Sequence, residues 1–296
     1  MSQFWDIYGI TFEFALVLGI FALSAFLGLW SGVLSLAPIA FAAGGAFVSA
    51  RIAYDRVMMG EANYPLIVHL VIGMVVGGVL AWISSFVLLR LGSHYLALAT
   101  IALVLIARVI ALNLDQYTGG TVGIPVPRQV HTWHILLILG LLSLVFGTLR
   151  KSRFGYSLDA VREQPEVASS LGINVQRVRR YAFTFAGVLG GLAGVMQAQL
   201  VQYLVPETLY VELAFVAVAS AVLGGAYIWV GPIVGALLYT AIPEFLEPFL
   251  GSSKNVVNGV LLVIIMVFLQ RGLVDPRQFR IMAAKRKARK AEGVAS

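Results

Sequence analysis

The chain contains no cysteine, and only 12% of its 296 residues are charged. Without cysteine it can form no disulfide, thiol nucleophile or Cys-ligated metal site. A soluble domain carries about 25% charged residues, roughly twice the fraction in this chain. The mean hydropathy is +0.89, and several apolar runs reach the length of about 18 residues that crosses a bilayer as a helix. We therefore predict an all-α, polytopic transmembrane helical bundle that forms one membrane domain.

Motifs for catalysis and nucleotide binding are also missing. There is no G-x-x-x-x-G-K-[ST] segment, so the chain does not itself bind ATP in a P-loop. There is no H-E-x-x-H and no G-x-S-x-G, so metallopeptidase and hydrolase activities lack support. Glu13 is the only acidic candidate within a predicted span, whereas ion-coupled carriers usually keep an ionisable group near mid-membrane. We predict no catalytic residue, no metal site and no cofactor of the chain's own.

The basic residues concentrate in two segments next to apolar runs. Fifteen of the 21 Lys and Arg lie there, seven between 150 and 180 and eight between 271 and 290. This is the positive-inside pattern, which places both segments in the cytoplasm and does not indicate nucleic-acid binding. No removable signal peptide is evident, because the first basic residue is Arg51. We expect a membrane domain over 1–280 and a disordered, basic cytoplasmic tail over 281–296.

The apolar pattern predicts about 8–10 spans. Nine of them lie near 10–30, 33–50, 65–89, 93–112, 132–149, 181–203, 211–223, 229–248 and 256–270. Pro38 and the Gly44-Gly45 pair permit a broken helix in the second span. Four spans after residue 180 return the chain to the cytoplasm, and five before residue 150 put the N-terminus outside. Glycines crowd the span after residue 180 and predict close helix packing there.

Residues 150–180, the polar segment, form the longest break in the apolar sequence. We predict a short helix capped by Ser157, a break at Gln164 before Pro165, and a second helix that stops at Gly172. Asn174 is the predicted cap of a third helix. The apolar stripe of the segment is predicted to consist of Leu158, Val161, Ala168 and Leu171. Two interpretations stay open: a helix that docks an energy-supplying subunit, or a solvated basic loop that only fixes topology.

Small and polar residues at helix breaks are candidates for a translocation path. Thr118-Gly119-Gly120 predicts either a turn that exposes amides to a zwitterionic ligand or a flexible turn alone. Ser35, Ser220 and Gly224 could line a polar path, or could only allow close helix packing. Arg108, near the end of its span, could snorkel to the interface or have a functional role.

The order of motifs from about Gly28 to Leu273 resembles the M-type permease of bacterial ABC importers for branched-chain amino acids. The residues that carry the resemblance include Ser35-Leu36, Tyr95-Leu96-Ala97, Thr118-Gly119-Gly120, Ser152-Arg153-Phe154-Gly155, Ala160-Val161-Arg162-Glu163, Glu166-Val167-Ala168, Leu171-Gly172-Ile173-Asn174, Leu223-Gly224-Gly225 and Arg271-Gly272-Leu273. The block from 160 to 174 is the most specific. The chain departs from the family where Ala37-Pro38 replace Gly-His and where Leu105 replaces an acid.

The resemblance implies a permease half-channel in the bacterial inner membrane, without chemistry of its own. Its implied partners are a homologous permease subunit, two ABC ATPase subunits that bind the ATP, and an extracytoplasmic solute-binding protein. The implied ATPase-coupling loop consists of Val161, Arg162, Glu163, Glu166, Ala168, Leu171 and Gly172. We hypothesise that Arg162, Glu163 and Glu166 make polar docking contacts while Val161 and Leu171 fill a groove. Alternatives are a permease for urea or short amides, or an ion-coupled secondary transporter.

Overall fold

The computed structural model describes residues 2–225 and 227–250. Its elements are α1 (Ser2–Trp30), α2 (Pro38–Met58), α3 (Leu66–Leu88), α4 (Ser93–Asn113), α5 (Asp115–Thr118), β1 (Ile124–Pro125), α6 (Thr132–Arg150), α7 (Arg153–Glu163), α8 (Pro165–Ser170), α9 (Val175–Val201), β2 (Tyr203–Leu204), a 3₁₀ turn (Pro206–Leu209), α10 (Val211–Gly224) and α11 (Val230–Leu250). Within these ranges, six helices are long and apolar enough to cross a membrane. The predicted all-α polytopic membrane bundle is confirmed. The predicted span at 256–270 and the tail at 281–296 lie outside the described residues.

The centre of the bundle is a contact of α2, α3 and α9, here called the seam. Glycines from all three helices meet there: Gly45, Gly73, Gly77, Gly187 and Gly191. A Cβ added at Gly191 would collide with the backbone oxygen of Gly73, and one added at Gly45 would lie 2.8 Å from that same oxygen. Small residues let helix backbones approach this closely in membranes, so the predicted tight packing of the span after residue 180 is confirmed.

The span expected at 33–50 begins later and ends later than its sequence suggested. Its helix, α2, starts at Pro38, and residues 31–37 form an irregular turn that is nonetheless mostly buried. The backbone amide of Leu36 donates to Thr100 Oγ1 at 3.1 Å, which satisfies one polar group of the turn. Gly44 and Gly45 lie inside a continuous helix. The break predicted from Pro and Gly therefore falls before the proline alone, where the missing N–H is least harmful.

The end of the bundle opposite the polar segment, the far end, is held by polar side chains. Arg128 Nη2 donates to Glu13 Oε2 at 2.6 Å, and Thr132 Oγ1 donates to Glu13 Oε1 at 2.7 Å. Glu13 is only 4% exposed. A buried charge is costly unless it is paired and hydrogen-bonded, and these two contacts meet both requirements. Arg108 forms an ion pair with Glu207 at 3.0 Å. Snorkelling alone therefore does not describe Arg108, because a side chain distant in sequence supplies its partner.

Candidate functional site: the polar segment and a membrane groove

The polar segment folds as two short helices followed by the start of α9. Ser152 caps α7, since its Oγ accepts a hydrogen bond from the amide of Gly155 at 3.2 Å. The prediction that Ser157 is the cap is wrong: Ser157 lies inside α7 and donates to the carbonyl of Arg153. Gly155 explains the early start, because it packs against the backbone of Arg150 and lets α7 begin with only two residues between it and the end of α6.

The predicted break and stops of the segment are confirmed. Gln164 is extended, with φ −150° and ψ 95°, and Pro165 opens α8. Gly172 has φ +83°, the left-handed conformation that glycine adopts without strain. Asn174 Oδ1 accepts a hydrogen bond from the amide of Arg177 at 2.9 Å and so caps α9.

The segment has an inner side that packs on the bundle. Leu158 and Val161 are fully buried and Ala168 is 2% exposed. Leu171, by contrast, is 75% exposed, so it does not continue their stripe. The extended backbone at Gln164 breaks the helical register, and spacing in α7 cannot be carried into α8. The hypothesis that Val161 fills a groove on a partner is therefore wrong, because Val161 already packs in the core of this chain.

The opposite, outer side of the segment is exposed and is not packed against the other helices that the structure describes. Three apolar side chains stand out from it: Tyr156, Val167 and Leu171, with exposures of 64%, 50% and 75%. Glu163 and Glu166 are exposed beside them, while Arg162 is half-buried and Gly172 is exposed at the end of α8. Apolar anchors among charged residues form a surface suited to binding another protein.

A second feature is an apolar groove on the other face of α2. Its floor is α2 and its walls are α3 and α4, and it has a volume of about 640 Å³. Ala43 and Gly44 lie on the floor, while Ile83 and Ile106 form the rims and are more than half exposed. Thr118 and Arg51 also line the groove, in the part of it nearest the far end of the bundle.

The predicted path residues do not come together in one place. Thr118 lines the groove, but its hydroxyl donates to the carbonyls of Ala111 and Leu114. The amide of Gly119 donates to the carbonyl of Asp115, and the amide of Gly120 donates to Thr118 Oγ1. Both amides are therefore used within the turn, a geometry that favours the simple-turn alternative over an amide site for a ligand.

The other three candidates lie elsewhere in the bundle. Ser35 is buried in the turn before α2, and Ser220 is buried where α10 crosses α11. A Cβ at Gly224 would collide with the backbone of Gly231, so this glycine serves the close crossing of the two helices. These contacts favour the helix-packing alternative for Gly224. The buried Ser220 hydroxyl has no hydrogen-bond partner among the described residues.

Sequence reasoning did not single out Arg128, although it noted the acid with which Arg128 pairs. A lone carboxylate inside an apolar run, such as Glu13, signals that a cation must come from another segment. The nearest non-apolar linker in the fold supplies it. The sequence thus indicated that Glu13 needs a partner, but nothing near residue 128 indicated that Arg128 would be that partner.

Within the described residues, the fold is a bundle of membrane-length helices with a capped polar segment, as expected of a polytopic membrane protein. The chain matches the family described as "Branched-chain amino acid transport system / permease component" over residues 9–269. It therefore belongs to this permease family, and the resemblance inferred from the motifs is confirmed.

Three relatives show the range of the family. The chain is 28% identical to the high-affinity branched-chain amino acid transport system permease protein LivM of Escherichia coli K12, over 67% of this chain and 56% of the relative. It is 30% identical to the probable branched-chain amino acid transport permease protein LivH of Methanocaldococcus jannaschii, over 54% and 50% of the two chains. It is also 30% identical to the autoinducer 2 import system permease protein LsrC of Yersinia enterocolitica, over 46% and 39%. The chain thus spans about half the length of the curated relatives it matches. No solved structure gives a significant match.

Proposed function

We propose that this chain is a permease subunit of an ATP-driven ABC importer in the bacterial inner membrane, with branched-chain amino acids as its solutes. It works with a homologous permease, two ATPase subunits and an extracytoplasmic solute-binding protein. The outer side of the polar segment is the observation that carries the proposal. In a chain of the permease family, this surface combines exposed Val167 and Leu171 with acidic side chains on short, capped helices.

The geometry explains how a separate motor would act on such a surface. The inner side is fixed to the bundle through Leu158, Val161 and Ala168, so a force on the outer side moves the helices and does not only bend a loop. Leu171 and Val167 supply apolar anchors, and Glu163 and Glu166 supply charge that sets the orientation of docking. ATP binding and hydrolysis in the ATPases would then change which side of the membrane the path opens to.

The solute is the finer part of the proposal. The LivM and LivH relatives are named for branched-chain amino acids, and the apolar lining of the groove suits aliphatic side chains. The LsrC relative favours a second candidate, because its name gives autoinducer 2 as the imported solute. Urea and short amides are the third class to include in a test.

Uptake in proteoliposomes tests the proposal. The chain is reconstituted with its partner permease, its ATPases and loaded binding protein, and labelled leucine, autoinducer 2 and urea are offered in turn. We expect leucine uptake that requires ATP, with ATP hydrolysis stimulated by the loaded binding protein. Uptake by the chain alone, driven by an imposed ion gradient without nucleotide, would instead identify an ion-coupled carrier.

Substitutions on the outer side connect this activity to the segment. Because Ala168 is buried, the changes belong at exposed positions, and Glu166→Lys combined with Leu171→Glu reverses charge and removes an apolar anchor. We expect the double variant to fold, to lose the ATPase subunits on purification and to lose uptake. Normal coupling in this variant would refute the docking assignment.

A further inference from the structure

The polar segment contacts the bundle at two turns between membrane helices. One is the buried turn 31–37, which joins α1 to α2. The other follows α10 and includes Gly225 and residues 227–229. Both contacts are made by the second half of α7, through Asp159 and Arg162, which lie three residues apart and so share a face of the helix.

The first contact is a short, charge-assisted hydrogen bond. Trp30, the last residue of α1, is 4% exposed, and its indole Nε1 donates to Asp159 Oδ1 at 2.6 Å. The Trp30 ring lies 5.5 Å from that of Phe26, which itself contacts Phe146 of α6 at 6.2 Å. An ionised acceptor makes such a bond stronger than a neutral pair. The end of α1 therefore cannot separate from α7 without losing this bond.

The turn that follows Trp30 lies directly against the backbone of α7. Gly32 has φ +74°, and a Cβ there would lie 3.3 Å from the Cα of Arg162. Arg179, at the start of α9, donates through Nε to the carbonyl of Ser31 at 3.4 Å. The turn is thus enclosed between α7 and α9, and it leads straight into Pro38, the first residue of α2.

The second contact joins α7 to the hairpin of α10 and α11. The guanidinium carbon of Arg162 lies 4.4 Å from the centre of the Tyr227 ring, which is the distance of a cation–π contact. Tyr227 belongs to the turn between the two helices, whose backbones meet closely at Gly224 and Gly231. A displacement of α7 is therefore passed to this hairpin as well as to α1 and α2.

We infer that four side chains are positioning residues that transmit movement of α7 to these two turns: Trp30, Asp159, Arg162 and Tyr227. The inference rests on the proposed function, since the movement comes from the docked ATPase. Its consequence concerns α2, which forms both the seam and the floor of the groove. Moving the turn before Pro38 shifts α2 along with α7, so the ATPase acts on the floor of the groove through this connection.

The test measures the solute moved per ATP hydrolysed by the full importer in proteoliposomes. The variants are Trp30→Phe, which removes the indole donor, and Tyr227→Leu, which removes the ring, alone and together. Trp133→Phe is the matched control, because this Trp is 59% exposed at the far end of the bundle. Tyr227→Phe keeps the ring and serves as the conservative variant.

We expect the double variant to keep its ATPase subunits on purification and to move about tenfold less solute per ATP, the scale of one lost charge-assisted hydrogen bond. Trp133→Phe should behave as the unmodified chain, and Tyr227→Phe, which keeps the ring over Arg162, should keep a higher ratio than Tyr227→Leu. A normal ratio in the double variant, or loss of its ATPase subunits, would overturn the inference. If the double variant is poorly folded, the solute moved per ATP is compared between Asp159→Leu and Asp159→Asn, because Asp159 is exposed. The asparagine Oδ1 can still accept from Trp30, so Asp159→Asn should keep a higher ratio than Asp159→Leu. Equal ratios in the two variants would overturn the inference. An unmodified importer without ATP-driven uptake would refute the proposed function instead.

Discussion

The seam and the polar segment respond in opposite ways to an added side-chain atom. At Gly191 one extra carbon meets the carbonyl of another helix, whereas at Leu171 a whole side chain extends away from the chain. The seam therefore has one arrangement and behaves as a rigid body, because backbone cannot move aside as a flexible side chain can. The outer side of the polar segment has no such constraint. Changes in the seam should destabilise the fold, and changes on the outer side should reduce coupling while leaving the fold intact.

The largest effect is expected from Gly191→Leu. Its Cβ would collide with the Gly73 carbonyl, and we expect a loss of more than ~3 kcal/mol of stability, enough to prevent recovery of folded protein. The control is Gly140→Leu in α6, where no atom of residues 2–225 or 227–250 lies within 4 Å of an added Cβ. Yield and thermal unfolding followed by tryptophan fluorescence measure both. Similar unfolding temperatures for the two variants would contradict the description of the seam.

The next largest loss of stability is expected when glutamate is introduced on the inner side of the polar segment and compared with glutamate on the outer side. Val161→Glu places a charge at a position with 0% exposure, and we expect a loss of about 3–5 kcal/mol, as for an unpaired buried charge. Leu171→Glu, at 75% exposure, should leave the unfolding temperature unchanged and reduce ATP-driven uptake. Unfolding temperature and uptake are measured on both variants. If Leu171→Glu unfolds the protein, the outer side is part of the core.

Substitutions of Glu13 test whether the polar contacts at the far end also stabilise the bundle. Glu13→Ala leaves Arg128 and Thr132 without their shared acceptor, and we expect a loss of about 2–3 kcal/mol. Glu13→Gln should lose less, because the amide oxygen still accepts from Thr132. Thermal unfolding ranks the two variants. An equal loss in both would mean that the charge of Glu13, and not its hydrogen bonding, holds the far end together.

The smallest effects on stability are expected at two adjacent glycines of α2, one in the seam and one on the groove side. A Cβ at Gly45 would lie 2.8 Å from the Gly73 carbonyl, in the seam, so Gly45→Ala should cost about 1–2 kcal/mol. At Gly44, on the groove side, the nearest atom is the end of the flexible Leu80 side chain. Gly44→Ala should change stability by less than ~1 kcal/mol, because the better helix propensity of alanine offsets a small shift of Leu80. A larger loss at Gly44 would mean that the groove is closed.

Much of this architecture was predictable from local signals. Hydropathy predicted the spans, Pro165 and Gly172 predicted the break and the stop in the polar segment, and Asn174 predicted the cap of α9. Each of these depends on backbone preferences within a few residues. A local signal failed at the start of α7: Ser157 was the predicted cap, but Ser152 caps the helix, which starts earlier because Gly155 packs on the backbone of Arg150.

The remainder depends on contacts between distant segments. The exposure of Leu171 follows from the turn of α8 relative to α7, which the spacing of apolar residues does not encode once the helix is broken. The partners of Glu13 and Trp30 lie more than a hundred residues away in sequence, and no local pattern specifies them. The groove is likewise formed by three helices, so no single segment predicts its shape.

Thiol labelling of a single introduced cysteine tests the central claim most directly, because the chain has no cysteine of its own. Leu171→Cys is treated with a membrane-impermeant maleimide in spheroplasts and in inside-out vesicles, with Val122→Cys at the far end as the reversed control. We predict that Cys at position 171 is labelled only in inside-out vesicles and is protected when the ATPase subunits are bound. Labelling at position 171 from outside, or labelling unaffected by bound ATPase subunits, would contradict the account.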